Sequence, residues 1–98
     1  MLRTALVTGA NSGIGLETAI HVARLGFAVV GTARSDEKAA SLHRAAADAG
    51  VQVETAVLDV TDAPRCEQVV RAVEPWAVVN NAGYMNVGQV VDVPPEEA

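Results

Sequence analysis

Short apolar runs alternate with helical stripes three times along this 98-residue chain. Ala5-Leu6-Val7 is a continuous apolar run closed by Thr8-Gly9, which predicts a buried strand over residues 3–8. Leu16, Ala19, Ile20 and Ala23 then recur at helical spacing, forming one face of a helix that Gly26 stops. Phe27-Ala28-Val29-Val30 predicts a second strand, closing at Gly31-Thr32-Ala33. Ser35 is placed to cap a second helix, with Asp36 and Glu37 in the first turn, where the helix dipole favours acids. Ala39, Leu42, Ala46 and Ala49 are its inner face, and Gly50 stands where a left-handed terminal residue belongs. Residues 51–58 predict a third strand. Thr61 or Asp62 can cap a third helix with Pro64 in its first turn, an inner stripe of Cys66, Val69, Val70 and Val73, and an end at Glu74-Pro75. Trp76-Ala77-Val78-Val79 makes a fourth strand running into Asn80-Asn81-Ala82-Gly83. Beyond Gly83 the pattern is loop-like until Pro94-Pro95-Glu96-Glu97, the kind of segment that opens a helix.

Strand–helix–strand units of this length imply a parallel sheet with right-handed crossovers, hence a doubly wound α/β fold. The expected strand order is 3-2-1-4, with the first two helices on one face and the third on the other. Composition sharpens this picture. Alanine (18) and valine (17) dominate, as suits buried strands under closely packed helices. A net charge of −5 argues against nucleic acid or an anionic membrane as partner. One cysteine can form neither an internal disulfide nor a multi-thiolate metal site, and no run approaches the ~18 apolar residues of a membrane helix. A cytoplasmic protein of one small domain is the expectation.

Thr8-Gly9-Ala10-Asn11-Ser12-Gly13-Ile14-Gly15 links the first strand to the first helix. A pyrophosphate requires unobstructed backbone N–H groups at the positive end of a helix. Glycines at 9, 13 and 15 allow a tight turn, close approach of a ligand and helix–sheet contact. The spacing G-x-x-x-G-x-G departs from the G-x-G-x-x-G of longer dehydrogenases. Taken with Asp59 and Asn80-Asn81-Ala82-Gly83, in order along the chain, it resembles the short-chain dehydrogenase/reductase family of the ordinary, non-extended type.

The resemblance implies a Rossmann-type sheet binding a nicotinamide dinucleotide, with contacts from Gly9, Asn11, Ser12, Gly13, Ile14 and Gly15 at the phosphates. It implies that Asp59 meets the adenine amino group and that the Val60 backbone meets the ring; by chemistry alone, Asp59 is equally a turn residue. It assigns the segment Asn80-Asn81-Ala82-Gly83 partly to ribose and nicotinamide contact, from Asn80, Ala82 and Gly83, and partly to bracing the sheet, since Asn amides can bridge backbone groups at a strand end. At the end of the second strand, an acid would hydrogen-bond a ribose 2′-hydroxyl, whereas an arginine meets a 2′-phosphate. Thr32-Ala33-Arg34-Ser35 places Arg34 there, with Ser35 beside it, which favours NADP(H) over NAD(H). The plainer alternative for Arg34 is a solvated loop cation.

The family's catalytic Tyr-x-x-x-Lys cannot be present in any register, because Tyr84 is followed four residues on by Gly88 and Lys38 is the only lysine. No catalytic residue is therefore assigned, and the expectation is the cofactor-binding, N-terminal part of an oxidoreductase acting on ketones and secondary alcohols. The alternative is a non-catalytic dinucleotide-binding or regulatory module. Family members are usually homo-oligomers through helices that this sequence does not contain. The 98 residues alone are expected to self-associate, for want of cover on a sheet edge and a sheet face. Cys66 reads as a core thiol, His21 and His43 as histidines with no metal-ligand partners, and Trp76 as the anchor of the fourth strand.

Overall fold

The computed structural model describes residues 2–81. Within them, β1 (Thr4–Val7), α1 (Gly13–Arg24), β2 (Ala28–Ala33), α2 (Asp36–Asp48), β3 (Glu54–Val57), α3 (Ala63–Val73) and β4 (Ala77–Val79) alternate along the chain. The sheet is parallel throughout, in the order β3-β2-β1-β4. This is the doubly wound arrangement expected from the pattern. Alternating side chains divide the core between its faces. Val7, Val29, Val53 and Ala10 pack against Ala19 of α1 and against Leu42 and Ala46 of α2. Leu6, Val30, Leu58, Val60 and Val78 pack against Cys66 and Val69 of α3. Adjacent residues in β1 and β2 thus point to opposite cores, as the period of two requires. Leu42 is fully buried, and such a leucine contributes about 2–5 kcal/mol over alanine.

The helix ends follow the local chemistry of the sequence. Ser35 Oγ accepts from the Lys38 N–H at 3.2 Å, and Asp62, not Thr61, caps α3 by accepting from the Arg65 N–H at 3.2 Å. Glu74 ends α3 in the left-handed region, at φ 48°. β2 ends at Ala33, where the pattern closes it, with Thr32 and Ala33 paired to Ala56 and Val57 of β3. The third strand is where pattern and structure differ. β3 begins only at Glu54 rather than at Val51, since the Val51 N–H donates to Ala46 O at 3.0 Å and closes the end of α2 instead. Trp76 lies just outside β4 and does anchor it. Its backbone N–H donates to Thr4 O at 2.7 Å, its ring centroid is 5.7 Å from that of Phe27, and the Arg3 guanidinium lies 4.5 Å over it. Among the described residues β4 pairs only with β1, and α3 alone covers its face of the sheet.

Candidate functional site

The loop between β1 and α1 is strapped to both neighbouring strands. On one side, the Gly9 N–H donates to Thr32 Oγ1 at 3.3 Å, and the Ala10 N–H donates to Thr32 O at 2.9 Å. On the other, the Thr8 N–H donates to Val79 O at 3.0 Å and Thr8 Oγ1 donates to Asn80 Oδ1 at 3.2 Å. The Asn81 side-chain amide donates to Gly9 O at 3.1 Å. Thr8 and Thr32 are fully buried, so these polar groups lie out of water, where each bond matters most. Gly15 makes the close seat of α1 possible: a Cβ there would fall on the Gly9 carbonyl and the Asn81 amide. Gly13 differs. It takes φ +58° and has open space where a Cβ would stand. Ser12 caps α1 by its backbone only, without a side-chain hydrogen bond, and the first turn contains no acid. The first-turn N–H groups thus face an open approach with no like charge against an anion.

A second corner forms where β2 and β3 end. Gly9, Asn11, Ala33, Arg34, Leu58, Asp59, Val60 and Thr61 line a cleft of about 180 Å³. Its volume is below the roughly 300–1,000 Å³ of complete small-molecule pockets, so it suits one end of an extended ligand. Arg34 and Asp59 face each other across it, with Arg34 Nη2 3.9 Å from Asp59 Oδ2. The other oxygen, Oδ1, accepts from the Thr61 N–H at 3.0 Å and from Thr61 Oγ1 at 2.7 Å. These two bonds, backbone first, hold the Asp59 carboxyl below its ordinary range against a smaller opposing effect of burial, and the Arg34 charge adds the least. A larger hollow of about 880 Å³ opens at the other end of the sheet, lined in part by Thr4, Phe27, Ala28, Val51 and Val73. Open parallel sheets bind ligands outside the carboxyl ends of their strands, which makes the smaller cleft and the adjoining loop the candidate site.

The structure brings Gly9, Asn11, Arg34, Asp59 and Val60 to one cleft, with Ser12, Gly13, Ile14 and Gly15 along the adjoining loop and helix start. Ile14 projects into solvent there, 76% exposed. Ser35 stands next to Arg34, but its hydroxyl oxygen already caps α2. Asn80 meets Thr8, whereas Ala82, Gly83 and Tyr84 lie outside the described residues. Asn81, with its amide on Gly9 O, is the bracing asparagine that the Asn-Asn-Ala-Gly segment led one to expect, whereas two contributors, Thr32 and Thr61, are not among the site residues expected from the sequence. Thr32 carried a signal, a polar residue inside an apolar strand run, and so did Thr61, two residues after an aspartate at Asx-turn spacing. Cys66 is buried, donates to Val60 O at 3.5 Å, and has its thiol pKa pushed up by burial and then by the charges of Asp62 and Asp59. That is the packing role expected of it. His21 and His43 are exposed, and among the described residues no cluster of His, Cys, Asp or Glu could hold a metal ion.

Residues 3–98 match the family model described as short chain dehydrogenase. The chain belongs to that family. The family consists of oxidoreductases that bind a nicotinamide dinucleotide. Among its relatives, the uncharacterized oxidoreductase YusZ of Bacillus subtilis (strain 168) is 41% identical over 100 residues, covering 96% of this chain and 35% of that protein. The 2-keto-3-deoxy-L-fuconate dehydrogenase of Xanthomonas campestris pv. campestris is 40% identical over 91 residues, covering 92% of this chain and 29% of that protein. Among solved structures, a variant of actinorhodin polyketide ketoreductase with NADPH superposes with a TM-score of 0.77 at 35% identity, over 97% of this chain and 38% of that one. The chain thus spans about a third of the length of the curated relatives it matches. No helix among its described residues is long and apolar enough to cross a membrane.

Proposed function

We propose that residues 1–98 are the N-terminal, NADP(H)-binding part of a single Rossmann domain, in an oxidoreductase that transfers a hydride between NADP(H) and a ketone or secondary alcohol. The observation that carries the preference for the 2′-phosphorylated cofactor is Arg34, which follows the last residue of β2. Its side chain is 72% exposed at the cleft, and its guanidinium supplies several donors. In this reading the strapped loop and the start of α1 receive the pyrophosphate, and Asp59 with the Val60 backbone receives the adenine. The cofactor supplies the hydride; the residues of this chain bind and orient it. The ketoreductase structure with NADPH supports the choice by similarity.

The test is equilibrium binding of NADPH and NADH to the complete protein, as wild type and as Arg34→Asp. The wild type is expected to favour NADPH by about tenfold or more, since a charge-assisted hydrogen bond contributes ~1.5–3 kcal/mol. Arg34→Asp is expected to reverse the order, and equal wild-type affinities would contradict the assignment. The second reading is a regulatory module that binds the dinucleotide without turning it over. The genomic reading frame distinguishes the two. An in-frame continuation into Tyr-x-x-x-Lys supports the enzyme, and a stop without one supports the module.

A further inference from the structure

The Arg34–Asp59 contact is weak for the groups it joins. A guanidinium and a carboxylate pair best as a fork, with two parallel N–H···O bonds, because both are planar and their spacings match. Here one carboxylate oxygen faces Arg34, at 3.9 Å, and the fork is not made. The reason lies behind the carboxylate. Asp59 Oδ1 accepts two hydrogen bonds from Thr61, at 3.0 and 2.7 Å, and these fix the plane of the group. A carboxylate tethered in this way cannot present both oxygens to the arginine. Arg34 stays near an internal anion without being captured by it, and 72% of its side chain remains exposed at the cleft.

We propose that Thr61 is a positioning residue for cofactor choice, which keeps Arg34 available to a 2′-phosphate by holding one oxygen of Asp59 out of the ion pair. The proposal rests on the reading that Arg34 receives the 2′-phosphate. Binding is then an exchange of anions at Arg34, and the strength of the internal pair sets how much of the phosphate's attraction is cancelled. Asp59 competes for the guanidinium, and Thr61 limits that competition through its hydroxyl. The Thr61 backbone N–H restrains the carboxylate whatever side chain follows it, so the hydroxyl tunes the balance rather than creating it.

The test compares 2′,5′-ADP with 5′-AMP, which share the adenosine and differ in the 2′-phosphate, in titrations of the full chain followed by NMR. Thr61→Val keeps the branched shape and removes the hydroxyl. It is expected to lower the preference for 2′,5′-ADP by about two- to fivefold, the scale of a partly exposed ion pair, and Thr61→Ser to restore it. Asp59→Asn is expected to raise the preference, since loss of an adenine contact weakens both nucleotides alike and cancels in the ratio. In the Asp59→Asn background, Thr61→Val should leave the ratio unchanged, because the competing charge is gone. A purely structural role for Thr61 would weaken both nucleotides equally and leave the ratio intact, which overturns the proposal. So does an Asp59→Asn ratio no higher than wild type, a measurement that stands even if Thr61→Val fails to fold. The underlying reading fails separately, if the wild type shows no preference or if Arg34→Ala leaves one intact.

Discussion

The two halves of the site are built on opposite principles. At the loop between β1 and α1, Thr8 and Thr32 are fully buried, and backbone and side-chain hydrogen bonds tie Gly9 and Ala10 to the neighbouring strands. At the corner between β2 and β3, Arg34 and Asp59 are 72% and 46% exposed and meet at 3.9 Å. Buried neutral bonds hold geometry, because breaking one leaves a polar group unsatisfied away from water. Exposed charges are cheap to rearrange, because water takes over whichever contact is lost. A phosphate common to every dinucleotide suits the first kind of construction. A choice between two cofactors suits the second, where one substitution can change the outcome without disturbing the fold.

The contrast can be broken most forcefully at Gly15. Alanine would ordinarily gain up to about 1 kcal/mol inside a helix. Here its Cβ lands on backbone that cannot give way, so Gly15→Ala is expected to destabilise the chain by about 1–3 kcal/mol in urea denaturation. A neutral or stabilising result would mean that α1 can lift off the loop. A smaller effect is expected of Asn81→Ala, which removes one partly solvated strap on Gly9 O and should cost about 0.5–1.5 kcal/mol by the same measurement. Equal costs at the two positions would show that the amide, rather than the close packing, secures the loop.

The smallest effect belongs to the exposed corner and depends on pH. The pKa of Asp59 is lowered in the folded state, chiefly by the Thr61 backbone and hydroxyl. Its contribution to stability is therefore fully present above the unfolded carboxylate pKa of about 3.9, and fades as pH falls through the lower folded value. The difference in melting temperature between wild type and Asp59→Asn should be small and constant from about pH 8 to pH 5, then shrink below about pH 4. A difference that grew on acidification would reverse the sign and remove the Thr61 bonds from the explanation.

Much of this was legible along the chain. The stripe of Ala39, Leu42 and Ala46, the cap at Ser35, the stop at Glu74-Pro75 and the order of four strands all follow from local spacing and crossover handedness. Thr61 and Asp62 were equal candidates to cap α3, and the fold separated them: Asp62 took the cap while Thr61 turned to Asp59. The start of β3 was harder to place, because Val51 and Val53 continue the apolar strand pattern, while the Val51 N–H is taken up by the end of α2.

What the sequence determined by itself are features whose cause lies within one turn or one strand: helical stripes, caps, a glycine-rich turn between strand and helix, an arginine after the second strand. Only the tertiary structure decided which residues separated in the chain meet: Asn81 with Gly9, Thr32 with Gly9, and Arg34 with Asp59. The physical reason is range. A cap or a stripe is an interaction over a few residues, and its signal is periodic. A hydrogen bond between Gly9 and Asn81 joins residues 72 positions apart, and nothing local to either one encodes the other until the parallel sheet carries them to the same end.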